Sequence, residues 1–317
     1  MTARDLIVAP PFAREVEEGL TKSPKSLPSK LFYDALGSEL FENITRLPEY
    51  YLTRTELEIL QQHAAEMAGV ASLGVKVVEL GAGTATKTCA LLQAVARRQG
   101  RVTYFPVDLS PAALGEARKR VESQCPRVCF SPVITDFSEG FGFLRNITGP
   151  KLVLYLGSSI GNFNPEVAAG MLRGLRKELE TGDALLLGTD LVKDPAILVP
   201  AYDDAQGVTA EFNKNILRRI NRELEANFDV DSFLHVALWN QAHSRMEMHL
   251  ESVRPQMVHI GMLRLGIEIQ AGERIHTENS CKYTTPMVCD LLAAAGFRLE
   301  ETWLDRCGWF AVHLARV

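Results

Sequence analysis

Residues 77–92 read VVELGAGTATKTCALL: β-branched residues, an acid, two glycines in alternate positions, then a helix-like run. Glycine lacks a Cβ and tolerates unusual φ, so a glycine turn leaving a strand brings backbone close to a ligand. The helix that follows aims its free N–H groups at the loop. The strand is expected over 75–80, the turn at Gly81-Ala82-Gly83 and the helix over 86–98. A dinucleotide fingerprint asks for a third glycine where this chain has Thr86. Glu79, two residues before Gly81, would repel a pyrophosphate and suit a cationic or amino-bearing ligand. On these residues alone, a plain strand-to-helix turn without ligand stays open.

Further acids follow at the next strand ends. Asp108 closes YFPVDLS, where a carboxylate can accept from both hydroxyls of a ribose, and Asp136-Phe137 in ITDF can take the amino group and ring nitrogen of an adenine. Each acid also reads as a helix N-cap, and Asp108 before LSPAAL is a real instance. Glu79, Asp108 and Asp136 at successive strand ends are harder to explain as caps alone.

The elements that must position these residues alternate along the chain. Apolar runs at 75–80, 102–108, 128–133, 152–156 and 184–189 are separated by helix-period segments such as 111–122 and 166–180. That rhythm implies βαβ units, a parallel sheet and an α/β fold, whose ligands lie outside the carboxyl ends of the strands. After Pro286 come one more helix and two strands with a turn at Cys307-Gly308, closing the sheet with an antiparallel pair. Residues 193–280 break the rhythm with a helical stretch over 205–225. FLHVALWN, SRMEMHLESV and IEIQAGERIHTENSCKY then alternate like antiparallel strands. The expectation is a sheet domain of residues 55–192 plus 281–317, and an inserted α+β substrate domain of residues 1–54 plus 193–280.

Composition narrows the functional classes. An apolar fraction of 46% and a charged fraction of 23% over 317 residues suit a soluble globular enzyme. A net charge of −5 argues against a nucleic-acid partner. No apolar run approaches the about 18 residues of a membrane span, and the start has acids and prolines where a signal peptide needs an apolar core. A cytoplasmic, monomeric protein is expected. Cys125 and Cys129 have no second pair to complete a zinc site, and His243 and His249 are not spaced for one helical face, so no metal is expected.

The acid followed by G-x-G resembles the first motif of class I S-adenosylmethionine-dependent methyltransferases, with Ala85 at the motif's usual third glycine. The resemblance implies a Rossmann-like sheet and S-adenosylmethionine as methyl donor. Glu79, Gly81, Gly83, Lys87, Asp108, Asp136 and Phe137 then become the cofactor-binding residues. YDALGSELFENITRLPEYYLTRTE at 33–56, YLGSSIGNF at 155–163 and AYDDAQGVTAEFNKN at 201–215, with RMEMHL and HTENSCKY, are together similar to the histidine Nα-methyltransferases of ergothioneine biosynthesis. This implies trimethylation of the α-amine of L-histidine to hercynine.

In IHTENSCKY, Glu278 and Ser280 are two apart, so an extended backbone puts both on one face. An acid and a hydroxyl so placed can accept from one imidazole N–H and satisfy the other nitrogen. The resemblance implies these two as imidazole readers, Tyr50 and Met248 against the ring, Asn162 and Tyr202 on the substrate carboxylate, and Tyr33 with Asn162 at the amine. Met248 reads equally as core packing, and Tyr50-Tyr51 as an aromatic staple. The transfer needs positioning and a nitrogen lone pair, which desolvation of the ammonium would expose. A methyltransferase for another amine, a non-catalytic cofactor binder and a dehydrogenase are the competing readings. The missing glycine and Glu79 count against the last.

Overall fold

The computed structural model describes residues 11–317. The reading of residues 1–10 as lacking a signal peptide's apolar core lies outside the described residues. The chain opens with helices α1 (Pro11–Thr21), α2 (Ala35–Ile44) and α3 (Leu52–Val70). There follow β1 (Lys76–Leu80), α4 (Cys89–Gln99), β2 (Val102–Asp108), α5 (Pro111–Gln124), β3 (Val128–Phe130) and β4 (Val133–Ile134). Next come β5 (Lys151–Tyr155), α6 (Pro165–Lys177), β6 (Ala184–Asp190), α7 (Pro195–Leu198) and α8 (Val208–Leu224). Strands β7 (Phe233–Asn240), β8 (Arg245–Ser252), β9 (Gln256–Ile260), β10 (Leu265–Ile269) and β11 (Arg274–Cys281) precede α9 (Thr285–Ala294), β12 (Arg298–Leu304) and β13 (Phe310–Arg316).

Two compact units result. One comprises Tyr51–Asp194, Ala242–Arg245 and Ser280–Val317. It holds the sheet β12-β13-β6-β5-β1-β2-β3, with β4 also on β2. The strands from β6 to β3 run parallel, while β13 is antiparallel to both β6 and β12. The central strands LVLY and ALLLGT are buried along their whole length, as expected where helices cover both faces of a parallel sheet. On one face Leu172 and Leu175 of α6 and Val288 and Leu292 of α9 join Val78, Leu185 and Leu187 in the core. The sheet runs outward from β1 to β2 and β3 on one side and to β5 and β6 on the other. That reversal opens a crevice at the carboxyl end of β1, where the glycine turn lies.

Among the described residues, the other unit comprises 11–50 together with Pro195–Gln241 and Met246–Asn279. It holds the strands β11-β8-β7 and the antiparallel hairpin β9-β10. Phe212, Ile216, Leu217, Ile220 and Leu224 give α8 its buried stripe at helical spacing. That helix starts at Val208 rather than at 205 because the Asp204 carboxylate caps it, accepting from Val208 N (3.0 Å) and Thr209 N (2.7 Å).

Three expected elements differ. The single strand over 128–133 is two short ones, broken at Ser131-Pro132, since proline brings no N–H to the ladder. The helix after the glycine turn begins at Cys89, not 86, because Ala85 takes a left-handed φ of 52° and delays it. The strand β9 was not anticipated, and the third alternating stretch divides into β10 and β11 at Gly272, whose φ is 76°.

Close backbone approach makes one glycine in SSIGNF indispensable. A Cβ on Gly161 would sit 2.8 Å from the Cys281 carbonyl oxygen and 3.1 Å from its nitrogen. Gly161→Ala is expected to destabilise by roughly 1–3 kcal/mol, the usual cost of overpacking. Gly170, in α6, would place a Cβ no nearer than 3.8 Å to Arg173. Gly170→Ala should therefore stabilise by roughly 0.5–1 kcal/mol through helix propensity. Denaturant unfolding of both variants checks the pair, and equal shifts would refute the packing argument.

Candidate active site

The glycine turn is held from beneath. Gly81 N and Ala82 N both donate to the Val107 carbonyl, at 2.9 and 3.1 Å, and Gly83 N donates to Asp108 Oδ2 at 2.9 Å. These three turn amides are thus spent on the neighbouring strand. Gly81 and Gly83 have φ of 66° and 52°. A Cβ on Gly83 would meet nothing within 4 Å, so this side of the loop faces open space. A Cβ on Gly81 would lie 3.9 Å from the Phe137 ring. Ala85, where the motif usually has glycine, also sits in the left-handed region, and its methyl is buried. Alanine there carries a strain of about 1 kcal/mol.

Each expected cofactor residue has a definite place in this unit. Asp108 accepts from Gly83 N and, through Oδ1, from Ser110 N at 2.9 Å. Ser110, not Asp108, caps α5, accepting from Ala113 N at 3.2 Å. Asp136 accepts from Ser138 N and Ser138 Oγ, at 2.9 and 2.5 Å, so the capping alternative applies to this acid. Phe137 packs at 6.3 Å on Phe141 and edge-on at 5.9 Å to Tyr155, beside Gly81. Lys87 pairs with Glu56, a fully buried acid of α3 whose other oxygen accepts from Gly157 N at 2.7 Å. That pair ties α3 to the loops following β1 and β5.

Glu79 differs from the expectation of a carboxylate offered to a cation. It is 4% exposed and accepts from the hydroxyl of Thr88, at 2.7 and 2.8 Å to its two oxygens, and from that of Tyr104. A charge at that depth is costly unless bonded, and hydroxyls from β2 and from the turn before α4 supply the donors. Burial pushes the Glu79 carboxyl up to about 7, against the opposing pull of the two hydroxyls and Lys87.

The substrate residues are set by separate local contacts. Tyr33 lies edge-on to Phe41 and Phe212, each at 5.7 Å, and Phe41 meets Tyr50 at 6.1 Å. Asn213 Nδ2 donates to His235 Nδ1 (2.8 Å), which leaves Nε2–H to donate to the Tyr202 carbonyl at 2.7 Å. Met248 is 2% exposed, and its backbone carbonyl accepts from Thr277 Oγ1 at 3.0 Å. Asn162 ends the 3-10 turn after β5. Glu278 and Ser280 both lie on β11, half-buried and buried respectively.

Sequence reasoning missed a second polar group. Asp190, fully buried at the end of β6, accepts from Lys282 Nζ (2.7 Å), Lys193 Nζ (2.6 Å) and the Tyr51 hydroxyl (2.8 Å). Its signal was available as one more strand-end acid, just beyond the expected limit at 189.

The raised Glu79 carboxyl has a consequence for stability. A group whose folded pKa exceeds its unfolded value stabilises fully below the unfolded pKa and loses that contribution as pH rises through the folded one. Between pH 5 and 8 the wild-type chain should therefore lose roughly 2–3 kcal/mol relative to Glu79→Gln, which has no charge to bury. Parallel unfolding free energies for the two proteins across this range would refute the assignment.

Comparison with known proteins now bears on this geometry. A family described as histidine-specific, SAM-dependent methyltransferases matches residues 12–317. The histidine N-alpha-methyltransferase of Mycolicibacterium smegmatis is 46% identical over 302 residues, covering 95% of this chain and 94% of the relative. That of Mycobacterium tuberculosis is 47% identical over the same shares. Ergothioneine biosynthesis protein 1 of Neurospora crassa is 34% identical over 88% of this chain and 32% of its own length. With a match from residue 12 to residue 317 and relatives 46–47% identical over 95% of its length, the chain belongs to the SAM-dependent, histidine-specific methyltransferase family.

Proposed function

We propose that this protein transfers three methyl groups in succession from S-adenosylmethionine to the α-amine of L-histidine, giving hercynine, the first step of ergothioneine biosynthesis. The observation that carries the reading is membership of the histidine-specific family over almost the whole chain. The residues present fit the cofactor: the open side of Gly83 leaves room for a ligand, and the turn amides of Gly81, Ala82 and Gly83 are already bonded to the neighbouring strand. S-Adenosylmethionine, when bound, supplies a methyl already activated on a sulfonium. Asp108 accepts from the ribose hydroxyls while clasping Gly83. Asp136 and the Phe137 backbone take the adenine edge, and Glu79, Gly81 and Lys87 shape the turn around the donor.

The remaining work is positioning. Asn162 and Tyr202 hold the substrate carboxylate, Tyr33 and Asn162 orient the amine, and Tyr50 and Met248 contact the imidazole that Glu278 and Ser280 read. Each transfer forms an N–C bond, breaks the S–C bond and releases one proton from nitrogen. Desolvation lowers the ammonium's hold on that proton. The product's fixed cation is met by aromatic faces at Tyr33, whose ring is 42% exposed.

Incubation with S-adenosylmethionine and a panel of amino acids, read by mass, tests the reading, and histidine recovered without the mass of three added methyl groups sinks it. Asp108→Ala should weaken cofactor binding by roughly 1.5–3 kcal/mol, because both the ribose acceptor and the Gly83 clasp are lost. Unchanged calorimetric affinity in a folded variant would make Asp108 a purely structural residue. Glu278→Ala should cost histidine roughly 2–4 kcal/mol in kcat/KM, about 30- to 1000-fold, and cost tryptophan little. An equal loss for both substrates would refute Glu278 as an imidazole reader.

A further inference from the structure

The cluster around Asp190 has no part in the chemistry above, yet it ends on Ser280. Lys282 is fully buried, and its ammonium donates to Asp190 Oδ2 at 2.7 Å and to Ser280 Oγ at 2.9 Å. The anchor is rigid. Asp190 also accepts from Lys193 at 2.6 Å and from the Tyr51 hydroxyl on both oxygens, at 3.0 and 2.8 Å. Lys193 donates to the Tyr51 hydroxyl at 2.8 Å, so that hydroxyl accepts from one neighbour while donating to the other. The backbone is fixed as well, with Tyr283 N on the Asp190 carbonyl at 2.9 Å and Lys282 N on the Ser244 carbonyl at 2.7 Å. Breaking a buried pair of this kind is strongly unfavourable, so the ammonium stays where Asp190 holds it.

An ammonium has three donors and no acceptor. In the Lys282–Ser280 bond the hydroxyl oxygen must therefore accept, and the proton of Ser280 is directed to some other group. We infer that Lys282 is a positioning residue: held by Asp190, it fixes Ser280 as a hydrogen-bond donor, so that the site takes histidine as a neutral imidazole with its unprotonated nitrogen at Ser280 and its N–H at Glu278. The inference rests on the proposed function and goes past it, because it selects one protonation state and one tautomer of the ring. A hydroxyl free to rotate would serve a protonated or a neutral ring alike. With one of its two lone pairs taken by a cation, the hydroxyl is polarised toward donating its proton, and a second positive charge beside Lys282 is disfavoured.

Two measurements test this. The first uses the wild-type protein with ring-¹⁵N L-histidine and the demethylated cofactor product, read by nitrogen chemical shift. One protonated nitrogen and one hydrogen-bonded acceptor nitrogen are expected, and two protonated nitrogens would overturn the inference. The second is a kinetic cycle of Ser280→Ala, Lys282→Met and the double variant, on histidine and on both pyrrolylalanines, which keep an N–H and lack the acceptor nitrogen. Each single change should cut kcat/KM for histidine roughly 10- to 30-fold, and the double variant should cost little more than either. Turnover of the pyrrole whose N–H matches Glu278 should change less than threefold. Additive losses, or equal losses on histidine and both pyrroles, would make Lys282 a stability residue only. Should Lys282→Met fail to fold, Ser280→Ala leaves the Asp190 ion pair untouched and, with the nitrogen shifts, still decides the matter. Absence of any histidine methylation by wild type defeats the proposed function itself, and the mass assay reads that outcome separately.

Discussion

A carboxylate taken out of water at the carboxyl end of a strand must be met by donors, and here those donors come from the neighbouring strands and the loops that follow them. Glu79 draws the hydroxyls of Thr88 and Tyr104, Asp108 draws the amides of Gly83 and Ser110, and Asp190 draws two ammonium groups and a phenol. Each bond offsets a desolvation cost, and each also fixes a piece of loop that would otherwise be mobile. Preorganisation at this site is thus a by-product of burying acids where the parallel sheet ends.

The acids are not equivalent, and their partners explain why. Glu79 has neutral hydroxyls as direct partners, so burial outweighs them and its carboxyl rises to about 7. Asp190 instead has two cations within 2.7 Å. The cost there appears on the other side of the pair: burial pushes Lys193 down to about 8, against the pull of Asp190. One arrangement leaves an acid pushed up to about 7 beneath the glycine turn. The other makes a fixed positive anchor with a hydroxyl at its end.

What could be read from the sequence follows the range of the interactions involved. The alternation that makes the sheet, the glycine turn and the acids at 79, 108 and 136 are local patterns within a few residues of one another, and the structure places each at its strand end. The break at Pro132 was also local, but apolar residues on both sides masked it. Ala85 read as a mild departure, whereas its backbone is left-handed like a glycine's. Contacts across the chain were invisible: Tyr51 meets Asp190 from 139 residues away, and Glu56 meets Lys87 from 31. Lys282 follows Ser280 by two residues with no periodic signal, so nothing local marks it as a buried partner. Three of the acids expected to face a ligand are seen first as holders of backbone or as acceptors from protein hydroxyls. A strand-end carboxylate is recognisable by type, while its partner is settled only by the fold.

The turn's amides settle which kind of ligand this sheet can serve. In a pyrophosphate site the glycines free their N–H groups, and the helix start adds more, because the ligand is anionic and must be paid in donors. Here Gly81, Ala82 and Gly83 give their amides to Val107 and Asp108, and α4 does not begin until Cys89. The loop is open on the Gly83 side, with the Glu79 carboxyl buried below. A cationic ligand without a pyrophosphate suits a turn bonded in this way, and the glycines let it lie close. A sulfonium is such a ligand, and its chemistry requires of the protein only alignment and exclusion of water. A site built from clasped backbone and buried acids meets that requirement.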